Sequence, residues 1–365
     1  MSRRSTCAAA ALAVLTLAAP ARASDFWQRA VAEVSEPTDT EPTLDELIDQ
    51  GIELSELALL QAQVAFDMKS IPREYRTARA RMKEAADLAV RKLEQALERD
   101  PDNADVHLLL GTIYYDILYQ YYEDDLPLSA RHDEVGLAAI EHFNAFERLA
   151  PEDPRRTNFA RGASNDNFGG VPFVRSTYQF KRSIVYTKLG GDENYENALV
   201  DYDYLMAVTP RGLVNAEWTA NVLTNSAEIL MALGRLDDAI ERYQAGIEYR
   251  DDALYHYGLA VALDRAGQTE TALEHMRLGA KFDGYLAGDG TGSQATFASL
   301  AKETVFFIPD GEIHYYYGLG YEALGETAQA VSHFKAFLRA VPDSRYRKLA
   351  EDHLQFLRGS SKKRK

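Results

Sequence analysis

Eight histidines are the first residues of this chain that could do chemistry, because imidazole ligates metals and exchanges protons near neutrality. Metal ligation needs several of them to converge, as in a His-Glu-x-x-His helix, and no such spacing occurs. Ser299-Leu300-Ala301-Lys302 has the Ser-x-x-Lys form of penicillin-interacting enzymes, but its Ser-Asp-Asn and Lys-Thr-Gly companions are missing. Gly288-Asp289-Gly290-Thr291-Gly292-Ser293 is glycine-rich, yet no lysine follows as a phosphate loop requires, and its acids do not fit a calcium loop. It reads as a flexible connection, as does Asn165-Asp166-Asn167-Phe168-Gly169-Gly170. The lone cysteine, Cys7, lies in an apolar leader, so a processed chain has no thiol for a disulfide, a nucleophile or a metal. No catalytic residue, no metal and no cofactor is expected.

The elements that would position any site follow from patterning. Arg3 and Arg4 precede the apolar stretch Ala8 to Ala19, and Ala21-Arg22-Ala23 supplies a small-residue cleavage pattern. Residues 1–23 therefore read as a secretory signal peptide cut after Ala23, which implies a periplasmic or secreted protein. No later segment is apolar for long enough to cross a bilayer. Removing Arg3, Arg4 and Arg22 from 40 basic side chains leaves 37 against 56 acidic ones, a balance of −19. Phosphates are repelled by such a surface, so nucleic acid is not an expected partner.

Residues 24–42 read as a linker, with Pro37 and Pro42 among acids. Residues 43–101 form an N-terminal helical region. There Thr43 caps a helix with Glu46 three residues on, Ile71-Pro72 breaks it, and a second helix runs to about Glu98. From residue 102 to 358 a period governs. Leu233-Gly234-Arg235-Leu236-Asp237-Asp238-Ala239 returns 33 residues later as Ala266-Gly267-Gln268-Thr269-Glu270-Thr271-Ala272, and again as Leu324-Gly325 to Ala330 after an insertion. Each copy ends a helix on a glycine and starts another with an alanine suited to close helix approach. Ser344 to Leu357 reads as a capping helix, and residues 359–365 as a basic disordered tail.

These copies resemble the tetratricopeptide-repeat family. Its large residue, leucine-glycine, tyrosine, alanine, phenylalanine and proline are matched by His314, Tyr317-Gly318, Tyr321, Ala330, Phe334 and Pro342. A second match reads His107, Leu110-Gly111, Tyr114, Ala139, Phe143 and Pro151, with an insertion from about Tyr119 to Glu134. Weaker copies centre on Ala198 and Tyr202, on Ala239 and Tyr243, and on Ala272 and Met276. The resemblance implies an all-α, right-handed α-solenoid of helix pairs, interrupted at 119–134, 158–174 and 285–309. It places His107, His256 and His314 at the fourth repeat position and His142, His275 and His333 at the twenty-third, which favours packing over ligation.

The resemblance also implies a concave face that binds a protein or peptide. Its fifth slot would hold Leu108, Phe180, Thr224, Tyr257 and Tyr315, and its twelfth Tyr115, Thr187, Met231, Asp264 and Glu322. That mixture of aromatic and acidic side chains suits a basic or aromatic-rich partner. The function expected is a non-catalytic scaffold or adaptor in a bacterial envelope. Its rivals are a ligand-binding protein or enzyme whose pocket is built by the insertions, and a self-assembling structural component. Thr304 to Pro309, strongly apolar, is either a strap packed on the helices or part of a partner site.

Overall fold

The computed structural model describes residues 41–123, 130–153, 178–208, 216–283 and 311–363, with Trp27, Val31, Phe297, Ser299, Leu300, Ile308 and Pro309 besides. The leader, most of the linker, residues 158–174, the glycine-rich stretch at 288–293 and the last two residues of the tail lie outside them. Every regular element among the described residues is helical. The chain divides into two compact units, Met1–Arg156 and Thr157–Lys365.

The first unit begins with α1 (Leu44–Asp67) and α2 (Pro72–Arg99), packed as an antiparallel pair. The expected capping box is present: Thr43 accepts from the Glu46 amide at 3.3 Å, and Glu46 accepts from the Thr43 amide at 2.8 Å. Pro72 stands at the start of α2, where a missing N–H costs nothing. Next come α3 (Ala104–Ile113) and α4 (Ala130–Leu149), the latter carrying the buried Ala139 and Phe143. α3 runs on through a π-helical turn, Tyr114–Tyr119, into Gln120–Glu123. The wider turn shifts the helix phase. Tyr115 and Tyr119 are buried, whereas Tyr114 is only half-buried.

The second unit contains α5 (Tyr178–Leu189) and α6 (Asp192–Val208), α7 (Ala216–Leu233) and α8 (Leu236–Tyr249), and α9 (Ala253–Arg265) and α10 (Thr269–Phe282). After the insertion come α11 (Ile313–Ala323), α12 (Thr327–Ala340) and the final helix α13 (Arg347–Lys363). Each first helix packs on the second of its pair, and α13 packs on α12. The turn inside three of the pairs is one device repeated. Gly234, Gly267 and Gly325 have φ of 82°, 82° and 78°, the left-handed region that a Cβ disfavours. The following amide reaches back to close the helix: Arg235 to Leu230 at 2.8 Å, Gln268 to Leu263 at 2.8 Å, Glu326 to Tyr321 at 2.9 Å.

Close approach inside a pair is set by a glycine facing an aromatic ring. A Cβ on Gly318 would stand 2.9 Å from the Phe334 ring, and one on Gly111 2.6 Å from Phe143. Such contacts form because two helices can bury aromatic rings only where one backbone offers no side chain. The resulting core of the second unit runs from Ala198 to Leu357.

Candidate functional site

The slots expected to line an open groove are mostly closed. Tyr115, Thr224, Met231, Tyr257, Asp264 and Tyr315 are all buried, the two tyrosines of the second unit at 0% exposure. Phe180 is half-buried, its ring 5.9 Å from Trp218 and 6.4 Å from Tyr202. The Glu322 side chain is only 6% exposed. The open-groove expectation is therefore corrected at these positions. In the second unit the physical reasons are that Thr224 and Tyr257 face Gly246 and Gly279 on the second helix of their own pair, and that the chain fills its own inner face.

Two segments do the filling. Phe297, from the 285–309 insertion, is fully buried, with edge-on contacts to Tyr257, Tyr317 and Tyr321 at centroid distances of 5.4, 5.8 and 5.2 Å. It holds a φ of 61°, which costs a non-glycine residue about 1–3 kcal/mol, so burying the ring must offset that strain. Ile308 packs against the same core, while Pro309 is exposed. The rest of the expected apolar strap lies outside the described residues.

The other segment is α13 and the turn before it. His353 Nε2 lies 3.0 Å from Asp264 Oδ2, and Nδ1 lies 2.8 Å from Glu322 Oε2. The ring stacks on Phe334 at 4.8 Å. Asp264 also accepts from the Tyr315 hydroxyl at 2.5 Å and from Thr269 at 2.7 Å. Burial alone would lower the His353 pKa, but the hydrogen bonds and charges of Asp264 and Glu322 outweigh it and push it up to about 10. Burial opposes ionisation of Asp264 too, yet its bonds to His353, Tyr315 and Thr269 hold it below the usual range. A charged histidine is thus locked between two carboxylates.

A second polar cluster lies in the same unit. Glu228, buried, accepts from the hydroxyls of Tyr243 and Tyr316. Burial raises its pKa to about 7 against the pull of those two donors. Arg265 pairs with Glu312, and its guanidinium lies over the rings of Tyr346 at 4.1 Å and Tyr315 at 5.2 Å. Tyr346 in turn donates to the Met231 carbonyl at 3.1 Å. Glu228, Arg265, Glu312, Tyr316, Arg345 and Tyr346 are among the residues that line a cavity of about 220 Å³. A carboxyl poised near neutrality can serve as a general base, but a structural network perturbs a pKa equally well. Here both tyrosines donate to one Glu228 oxygen, which suits structure better.

The six repeat-phased histidines come together in pairs within their repeats, His107 with His142, His256 with His275, and His314 with His333. Among the described residues no group of three or more histidines, cysteines or acids could hold a metal ion. Ser299 donates to Asp283, and Lys302 of the Ser-x-x-Lys pattern lies outside the described residues. Sequence reading missed Glu228, Arg265, Glu312, His353 and Phe297. Their partners lie far along the chain, so no local spacing marks them.

Two family profiles, both described as tetratricopeptide repeat, match residues 83–117 and 224–285, and residues 312–344. Over those stretches the chain is similar to tetratricopeptide repeats. The first stretch takes in the second half of α2 with α3, the second runs from within α7 through α8 to the α9–α10 pair, and the third takes in the α11–α12 pair. The copies centred on Ala239, Ala272 and Ala330 lie within them, whereas the Ala139 and Phe143 half of the earlier copy does not. No curated protein matches the chain. Among solved structures, MamA is 15% identical, covering 64% of this chain and 96% of its own, with a TM-score of 0.38. A tetratricopeptide repeat protein from Parabacteroides merdae is 14% identical, covering 83% and 99%, with a TM-score of 0.32. A thermophilic tetratricopeptide-repeat protein of Thermus thermophilus is 17% identical, covering 64% and 100%, with a TM-score of 0.28.

Proposed function

We propose that this tetratricopeptide-repeat chain is a non-catalytic protein-interaction scaffold of the bacterial cell envelope, exported by a leader cut after Ala23. The repeats carry the reading, because proteins built from them usually present helix surfaces to other proteins and typically catalyse nothing. Support also comes from three buried titratable groups with shifted pKa values. Asp264, Glu228 and His353 are each engaged by other side chains of the same unit, which suits a structural role for all three. Among the described residues no helix is long and apolar enough to cross a membrane. A net charge of −16 favours a basic partner. With Tyr257 and Tyr315 enclosed, a partner meets the helix surfaces that stay open, such as those around the exposed Tyr249 and Phe282 on α8 and α10.

The test is purification of the native protein from envelope fractions. The reading expects a chain starting at Ser24, in a stoichiometric complex that dissociates at high salt. A chain retaining Met1 in the cytoplasmic fraction contradicts the envelope assignment, and turnover of any substrate contradicts the scaffold. The cavity beside Glu228 and Arg265 favours the second reading, a small-ligand carrier. Calorimetric binding of a small charged molecule, abolished by Arg265→Gln, would establish that alternative.

A further inference from the structure

Each histidine pair joins the fourth and twenty-third positions of one repeat, Nδ1 to Nδ1. The separations are 2.9 Å for His107 and His142, 2.9 Å for His256 and His275, and 3.2 Å for His314 and His333. Ring centroids stand 5.1, 5.1 and 5.4 Å apart. Those values are nearly the nitrogen gap plus two ring radii, so the nitrogens meet head on. A shared metal ion would need both lone pairs aimed at a third point, with the rings closer for the same gap. A head-on contact at this range needs one proton between the nitrogens.

The outer nitrogens set the direction of that bond. His107 Nε2 lies 3.1 Å from the Pro101 carbonyl, and His256 Nε2 lies 2.8 Å from the Asp251 carboxylate. Both partners only accept, so these Nε2 atoms carry hydrogen and the facing Nδ1 is a lone pair. His142 and His275 then donate from Nδ1. One added proton can settle on the donor's Nε2 and leave the bridge whole. A second must take the accepting Nδ1, which removes the acceptor and sets two cations face to face.

We propose that the three pairs are repeat-equivalent proton-binding latches, each holding the first helix of its repeat on the second and releasing it when a second proton enters. The surroundings differ between them. The Tyr114 ring stacks on His142 at 5.7 Å, while Glu94, Asp87 and Arg131 act on its hydroxyl. Asp251 and Glu274 face His275, and Phe282 stacks on His256 at 5.5 Å. Tyr317 and Tyr321 flank His333 at 5.0 and 5.4 Å, with Asp283 acting on Tyr317 and Glu326 on Tyr321. Burial, then the partner histidine, lowers His142 to about 4 and brings His275 and His333 below the usual value. The unfolded chain takes up these protons near its ordinary pKa of about 6.5, and the folded chain resists them. The two rings of a pair titrate as a unit, so the lowered value belongs to the second proton. The stability of the His107–His142 latch is therefore whole above about 6.5 and drains as pH falls toward about 4.

The full chain with ring-¹⁵N histidine tests this through long-range nitrogen–proton correlations. The expected spectra show His107 and His256 as Nε2–H tautomers and His142 and His275 as Nδ1–H tautomers, each pair titrating in two separate steps. Six histidines titrating together near the ordinary value would overturn the proposal, as would two Nε2–H rings in one pair. Thermal melts at about pH 7.5 and about pH 5, either side of the ordinary value, give a second readout. Wild type is expected to melt lower in acid. The variant His142→Gln, His275→Gln, His333→Gln, which keeps a donor at each site, is expected to lose more than half of that difference. An undiminished acid shift in a variant that folds at neutral pH contradicts the latch, and if the variant does not fold, the ring spectra decide.

Discussion

Two kinds of interior lie side by side in the second unit. At the seams within helix pairs, contact is apolar and local: Gly318 admits Phe334, and Ala330 and Ala272 are fully buried. On the inner face, contact is polar and distant. His353 reaches Asp264 across 89 positions, and Tyr316 reaches Glu228 across 88. The seams are rebuilt from the same few residue types in every repeat, whereas the inner face is made once, by segments the repeat does not contain. A repeat thus specifies how helices pair, and the interruptions specify what the paired helices enclose.

The largest effect should come from breaking the inner face. Asp264→Ala leaves His353, Tyr315 and Thr269 facing an empty site, and removing one partner of a buried ion pair costs about 3–5 kcal/mol. Denaturant unfolding should show that loss, and a cost below about 1 kcal/mol, the scale of exposed pairs, would mean the site is open to water. Tyr257→Ala should cost about 3–5 kcal/mol as a buried aromatic truncation, so any failure of partner capture in that variant would reflect unfolding.

A seam change should cost less. Gly318→Ala forces a methyl to 2.9 Å from the Phe334 ring, and overpacking of this kind costs about 1–3 kcal/mol. If it cost more than Asp264→Ala, the ranking of the two interiors would be reversed. The smallest effect has the opposite sign. The Glu228 pKa is raised to about 7 by burial, so the group stabilises the fold below about 4.5 and loses that contribution as pH rises through about 7. Glu228→Gln keeps an acceptor for Tyr243 and Tyr316 without the charge. It should raise the melting temperature slightly at about pH 8, above the folded pKa, and an unchanged or lower value there would show that the carboxylate is compensated.

The all-α class, the Thr43 capping box, the break at Pro72 and the glycine turns at 234, 267 and 325 were legible because each is fixed by residues a few positions apart. Tyr115 was placed in an open groove by its slot, yet it is buried, as Met231 and Asp264 are in the same slot of other repeats. Tyr257, Asp264 and Tyr315 were placed correctly by slot but wrongly by exposure. The slot follows from the repeat, while the cover comes from Phe297 and α13, whose docking depends on long-range pairing of charge and shape. The six phased histidines were visible as a pattern, but their meeting at Nδ1 depends on side-chain geometry.

The most direct test is the titration of His353 by ring nitrogen shifts. The closed inner face predicts an imidazolium that stays protonated well past neutrality, toward about 10, and releases its proton earlier in Asp264→Asn. Stability from this group should hold below the ordinary pKa of about 6.5 and fade as pH rises through about 10. A His353 that titrates at its ordinary value, unmoved by Asp264→Asn, would show that α13 does not lie against Asp264 and Glu322 and that the inner face stands open.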